Sequence, residues 1–246
     1  MQYFPQAMNV AVIGAGGAIG RAMVSALASH DKVNTVYAYA REPVCFADVA
    51  GAAKIKTACM NPLCAVSLAE GAERVCQALD MVIVTTGLLH QDSLQPEKRL
   101  TEINRDNFLQ VMQVNTLLPM LVAQAFMPLF RTGSHRVFAA LSARVGSISD
   151  NRLGGWYSYR SSKAALNMLL KNMAIEMRRS RPGMIVCGLH PGTVDSGLSQ
   201  PFQRNVPAEK LFTAEYAAAS LLQVIGRLQA DDSGKVFAWD GQTVEP

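Results

Sequence analysis

Asn9-Val10-Ala11-Val12-Ile13-Gly14-Ala15-Gly16-Gly17-Ala18-Ile19-Gly20 is the stretch that decides the fold. Residues 9–13 are a short apolar run and read as a buried strand. Residues 18–30 resume with helical spacing. Between the two, glycines let the chain turn tightly and let backbone N–H groups approach a pyrophosphate. The N-terminus of the following helix then faces the phosphate charge. The spacing Gly14-x-x-Gly17-x-x-Gly20 is not GxGxxG, so a turn that merely packs a helix on a strand is the competing reading.

Outward from this stretch, strands alternate with helices. Residues 35–39, 55–59, 80–84, 136–141, 184–189 and 235–239 read as strands, the one at 55–59 weakly. Residues 68–78, 102–130, 157–179 and 214–228 read as helices, the third stopped by Pro182 and Gly183. Strands spaced by helices predict right-handed βαβ units and a parallel sheet. The expectation is an α/β fold: one doubly wound domain over residues 1–246, about seven parallel strands, helices on both faces. No Pro-, Gly- or Ser-rich linker divides the chain, and Met8 precedes the first strand, so residues 1–7 read as a possible disordered extension. Ligands of such sheets sit beyond the carboxyl ends of the strands.

Composition narrows the function classes. The 246 residues are 50% hydrophobic and 17% charged, which excludes a disordered chain. A chain of this length buries roughly 70–75% of its unfolded surface and needs no staples. The net charge is +4 with scattered basic residues, so no nucleic-acid partner is expected. Arg178, Arg179 and Arg181 read as the basic end of a helix. Cys45, Cys59, Cys64, Cys76 and Cys187 form no CxxC and no zinc spacing, which argues against disulfides and metal. No signal peptide is read at the start, and no apolar run is read as reaching the roughly 18–20 residues of a membrane span. The expectation is a cytoplasmic protein with no membrane partner.

The end of the second strand addresses which dinucleotide would bind. NAD sites usually place a carboxylate there, for the ribose hydroxyls. This chain has Tyr39-Ala40-Arg41. An arginine at that point grips a 2′-phosphate, which favours NADP(H) over NAD(H). A solvated loop arginine is the alternative. Further on, Tyr159-Arg160-Ser161-Ser162-Lys163 sets a phenol and an ammonium four residues apart, neighbours on a helix. A nearby Lys⁺ favours the phenolate and is expected to lower the Tyr159 pKa, so that the phenol acts as general acid or base on a carbonyl or alcohol.

With the glycine loop, the tyrosine–lysine pair and His190-Pro191-Gly192-Thr193-Val194 in order, the chain resembles the short-chain dehydrogenase/reductase family over essentially its whole length. Gly87-Leu88-Leu89-His90, Gly146-Ser147-Ile148 and the run from Gly154 to Arg160 resemble its C-factor and sniffer-type carbonyl reductase branch. The resemblance implies a Rossmann-type domain and hydride transfer between a nicotinamide and a carbonyl or alcohol substrate. It implies Tyr159 as proton donor, Lys163 on the nicotinamide ribose, Asn115 as the helix asparagine, and Pro191, Gly192 and Thr193 lining the nicotinamide. Gly14, Gly16, Gly17, Ile19, Gly20, Arg41, Thr85 and Gly87 complete the expected cofactor set. It further implies a homodimer or homotetramer built on the two long helices. Independently of family, Pro119 has no N–H for the carbonyl of Asn115, which is left free to hold a water.

Three positions depart from the family pattern. Val84-Thr85-Thr86-Gly87 replaces its usual NNAG. The acidic residue after the third strand is missing, with Asn61 the nearest polar candidate. Ala143 stands where the catalytic serine is usual, which leaves Ser142 as the expected hydrogen-bonding serine and Ser147 as fallback. His90 reads as a substrate-facing or an exposed loop residue, His190 as structural, and Trp156 and Tyr157 as pocket wall or loop packing. Leu198 and Phe202 fall in the segment that forms a substrate lid in the family. The rival function is a non-catalytic NADP(H)-binding signalling protein of C-factor type, which the Ala143 substitution slightly favours.

Overall fold

The computed structural model describes residues 7–133 and 135–246. The extension expected over residues 1–7 falls outside the described residues except for Ala7. In chain order the elements are β1 (Met8–Ile13), α1 (Ala18–Ala28), β2 (Val33–Ala40), β3 (Ile55–Cys59), α2 (Ala65–Glu73), β4 (Met81–Val84), α3 (Arg105–Met112), α4 (Leu118–Phe126), β5 (Arg136–Leu141), α5 (Tyr157–Ser180), β6 (Met184–His190), β7 (Thr193–Val194), β8 (Leu211–Phe212), α6 (Ala214–Ile225), β9 (Val236–Ala238) and β10 (Thr243–Val244).

Every residue of β1 is buried because both faces of the sheet are covered. Successive side chains point to opposite faces. Val10 and Val12 join Met23, Leu27, Leu221 and Ile225 in the layer of α1 and α6. Ala11 and Ile13 join Tyr39, Phe126, Leu166 and Leu170 in the layer of α2, α4 and α5. The sheet order is β10-β9-β6-β5-β4-β1-β2-β3. All neighbours pair in parallel except β9 and β10. The doubly wound sheet of about seven parallel strands is therefore present, with β10 added as an antiparallel edge. A separate two-stranded piece joins β7 to β8. The order reverses between β1 and β4, and the crevice outside their carboxyl ends lies between Gly14 and Thr85.

Most boundaries move by one to three residues, and two helices differ more from expectation. The helix expected at 68–78 is α2, three residues earlier at its start and five at its end. The helix expected at 102–130 is composite: a 3₁₀ turn at Leu100–Glu102, α3, a π-helical segment Gln113–Leu117, α4 and a 3₁₀ turn at Met127–Leu129. Asn104 starts α3 by accepting from the N–H groups of Asp106 and Asn107. The run Arg105–Leu129 has 25 residues, and its most apolar 18-residue window has a mean hydropathy of 1.2, so by length and composition alone it is long and apolar enough to cross a membrane, although polar residues interrupt it. Here Leu118, Val122, Ala123 and Phe126 are buried in the α4–α5 layer of the core.

Candidate active site

The glycine loop divides into two glycines that pack and two that stay open. Gly14 has φ +99°. Its N–H and that of Ala15 both donate to the Tyr39 carbonyl at 2.9 Å, which ties the loop to the end of β2. A Cβ at Gly20 would lie 2.2 Å from the Gly14 carbonyl oxygen and 2.7 Å from Thr85 Oγ1. No side chain fits there, so this glycine closes the loop on itself. Gly16 and Gly17 are exposed, and Gly17 precedes α1 with no side-chain cap. The free N–H groups of the first turn, including those of Ile19 and Gly20, suit an anion. Half of the loop thus packs the helix on the strand, and the other half stays open, with the N–H groups that the phosphate reading requires.

Thr85 faces inward. Its hydroxyl lies 3.0 Å from the Ile13 carbonyl and 3.1 Å from that of Gly14, so its side chain holds the loop. The Thr86 hydroxyl beside it is buried without a partner. A buried polar atom left unpaired in a binding crevice fits a ligand that supplies the missing bond. On the other side of the loop, a Cβ at Gly16 would touch Ala40, and Arg41 follows. Arg41 is exposed and makes no hydrogen bond or ion pair among the described residues. Asn61 is occupied locally, its side chain accepting from the Leu63 N–H at 3.1 Å.

Asn115, fully buried, lies in the π-helical segment. The Leu118 N–H reaches back five residues to the Gln113 carbonyl. Pro119 explains the widening: it offers Asn115 no N–H in α register, and the local register shifts. The Asn115 amide donates to the Leu88 carbonyl at 2.8 Å and to the Ser162 hydroxyl at 3.0 Å, and its oxygen accepts from the Leu88 N–H at 2.7 Å. Ser162 in turn donates to the Tyr159 carbonyl at 2.7 Å. Asn115 therefore joins the chain after β4 to the first turn of α5, where Tyr159 sits.

Tyr159 and Lys163 are buried on one face of α5. The ammonium donates to the Leu141 carbonyl at 2.8 Å and lies 5.8 Å from the Tyr159 ring centre. Burial lowers Lys163 to about 8. Burial also pushes Tyr159 up to about 12, opposite to the expected lowering. The correction has a simple cause: the cost of burying a phenolate exceeds the attraction of an ammonium already committed to a carbonyl.

Ser142 is not brought to Tyr159. Its hydroxyl donates to Asn167 at 2.6 Å and its N–H to Leu189 at 2.7 Å. Asn167 is eight residues along α5 from Tyr159, about 12 Å at the helical rise. The Ser147 hydroxyl accepts from the Asp150 N–H at 3.1 Å and contacts Ser149, within its own loop. Neither serine bonds to Tyr159, and Ala143 has no hydroxyl to offer.

An aromatic group covers the site. Trp156 packs edge-on against Tyr159 at 6.1 Å and against Phe202 at 5.0 Å. His90 meets Phe202 at 5.7 Å and bonds to the Gly197 carbonyl at 3.0 Å. A Cβ at Gly87 would lie 3.6 Å from Leu198 and 3.9 Å from the Asn115 oxygen. The segment after β7 is thereby closed over the crevice. At its base Gly192 has φ +77°, and a Cβ there would stand 2.6 Å from the Phe212 ring. Pro191 and Thr193 flank it, half-buried. His190 packs on Trp239, and burial lowers it to about 4, so it is neutral at pH 7, as a structural histidine should be.

Glu97 is the first of three residues that sequence reasoning missed. It is buried, and its carboxylate accepts from the Ser158 N–H at 3.1 Å and from the Ser158 hydroxyl. Its carbonyl accepts from the Trp156 N–H. A signal was present: Trp156-Tyr157-Ser158 begins a long helix with no capping residue before it, so the acceptor had to come from elsewhere. Asn167 and Ser162 were missed because their bonds join residues far apart in sequence.

The fold and this crevice define a nucleotide-binding oxidoreductase architecture. The short chain dehydrogenase family model matches residues 8–207, and the chain belongs to that family of dehydrogenases and reductases. It is 32% identical to the C-signal of Myxococcus xanthus over 145 residues, 59% of this chain and 82% of that protein. It is 35% identical to 1-hydroxy-2-glutathionyl-2-methyl-3-butene dehydrogenase of Rhodococcus sp. (strain AD45) over 164 residues, 66% of each. The fold matches NADPH-bound carbonyl reductase from chicken fatty liver with a TM-score of 0.83 at 23% identity, covering 98% and 95% of the two chains. Carbonyl reductase Sniffer of D. melanogaster matches with a TM-score of 0.83 at 18% identity, covering 98% and 100%.

Proposed function

We propose that this protein is an NADP(H)-dependent carbonyl reductase, with Tyr159 as the proton donor. The observation that carries the reading is Tyr159, buried beside Lys163 on α5 and next to the Trp156–Phe202 cover. The residues present fit the cofactor: an uncapped α1, the orphaned Thr86 hydroxyl and an unengaged Arg41. The first turn of α1 would hold the pyrophosphate and Arg41 the 2′-phosphate, while Lys163, Asn115, Gly87 and Pro191–Thr193 would border the nicotinamide end. When bound, the cofactor supplies or accepts hydride at the substrate carbon.

The protein's own groups manage the proton. Burial keeps the Tyr159 phenol protonated at pH 7, the form a reductase needs, and it donates to the carbonyl oxygen. The Lys163 cation then offsets the phenolate, which regains its proton from solvent. With Ser142 tied to Asn167, Tyr159 acts without a serine bonded to it. The apolar cover favours a partly apolar carbonyl substrate. The second reading, a non-catalytic NADP(H)-binding signalling protein, is favoured by Ala143 and by the likeness to C-signal.

The test is a fluorescence titration with NADPH and NADH side by side. NADPH is expected to bind more tightly by about 10-fold or more, and Arg41→Ala to remove most of that preference by losing a charge-assisted bond. Equal binding of the two by the wild-type chain would overturn the role of Arg41. Binding of neither would overturn the cofactor reading.

A further inference from the structure

We propose that Glu97 is the positioning residue for Tyr159, acting through the strained start of α5; this rests on the reading of Tyr159 above. Three consecutive residues before the catalytic turn are left-handed: Gly154 and Gly155 at φ +63° and Trp156 at φ +50°. A bulky non-glycine residue holds that conformation only where its surroundings enforce it. Trp156 has no side chain able to cap the helix, and α5 is capped by none of its own residues.

Glu97 enforces it from another segment. Its carbonyl takes the Trp156 N–H and its carboxylate takes both the N–H and the hydroxyl of Ser158. These two residues flank Tyr157 and end immediately before Tyr159. The backbone of Gly155 packs on the same segment, since a Cβ there would meet the Glu97 carbonyl at 3.4 Å. A carboxylate at a helix N-terminus also complements the axial dipole of the 24-residue α5. The segment leading to Glu97, with Leu89, Leu94 and Pro96, packs beside Ser158 and Tyr159 with no room left for water between them. The packing of that segment and the first turn of α5 are therefore joined through one side chain. Trp156 carries the constraint to Phe202 of the cover.

The test uses the full chain with Glu97→Ala, Glu97→Gln and Ser158→Ala, NADPH, and 4-nitrobenzaldehyde as carbonyl probe. Glu97→Ala is expected to lower kcat by about 10- to 100-fold, the cost of a misplaced catalytic group, with KM and the NADPH Kd within about threefold. Glu97→Gln, which keeps one acceptor, should recover most of kcat, and Ser158→Ala should lie between. Amide exchange over residues 155–160 should accelerate in Glu97→Ala. A Glu97→Ala variant with kcat within about twofold of wild type overturns the proposal. So does a loss of thermal stability with kcat of the folded fraction unchanged, or a parallel loss of kcat and NADPH affinity. If Glu97→Ala fails to fold, Ser158→Ala with unaltered kcat overturns it. If the wild-type chain does not oxidise NADPH with the probe, the activity reading fails instead. Exchange over 155–160 then decides the clamp, and unchanged exchange overturns it.

Discussion

Tyr159 and Lys163 show how burial competes with proximity. Their spacing suggests an acidified phenol, yet burial raises Tyr159 to about 12 and lowers Lys163 to about 8. A phenol that stays protonated is a donor at neutral pH, so Tyr159→Phe should abolish reduction while leaving NADPH binding within about twofold, because only the transition state needs the proton. Steady-state kinetics beside a fluorescence titration checks this; surviving turnover would remove Tyr159 from the mechanism. Lys163 makes a separate prediction for stability. The unfolded chain holds this proton up to about 10.5 and the folded chain only to about 8. Between those values the unfolded state binds more protons, so the Lys163 contribution to stability rises with pH through that window. The stability of wild type relative to Lys163→Met should therefore improve by about 1–3 kcal/mol from pH 7.5 to 10.5. Denaturant titrations at both pH values measure it, and a flat difference would refute the assigned burial.

At the scale of elements, the glycine loop separates two jobs that a motif merges. Gly20 has no room for a Cβ, whereas the nearest atom to a Cβ at Gly17 is the Gly14 oxygen at 3.5 Å. Gly20→Ala should cost about 1–3 kcal/mol through overpacking. Gly17→Ala should cost about 1 kcal/mol or less, as a weaker helix cap, yet weaken NADPH binding by crowding the open side of the loop. Thermal melts and NADPH titrations on both variants distinguish the two; equal stability loss would mean the loop does not divide this way. The π-helical segment follows from Pro119 in a similar way. Its existence was foreshadowed by the missing N–H, but its consequence, an Asn115 side chain held between Leu88 and Ser162, needed the neighbouring segments.

For the whole molecule, the outer faces of the helices around the α4–α5 layer leave Leu117, Met168 and Ile175 about half exposed or more. If the chain forms, through these faces, the homodimer or homotetramer that the family resemblance implies, a charge placed there must be buried unpaired. Met168→Lys is expected to shift the protein to monomer at micromolar concentration, with the monomer still folded. Sedimentation of both forms tests it, and an unchanged mass would move the interface elsewhere.

The sequence by itself determined the alternation of strands and helices and the doubly wound class, and it named the candidate residues for a dinucleotide. Those signals are local: apolar periodicity, glycines after a strand, and a tyrosine and lysine one helical turn apart. Tertiary structure alone decided the protonation of Tyr159, the diversion of Ser142 to Asn167, and the capping of α5 by Glu97. Each depends on desolvation or on a bond between segments 25 to 61 residues apart. Neither spacing nor composition encodes such a bond, because the fold brings the partners together only after every strand has found its place in the sheet.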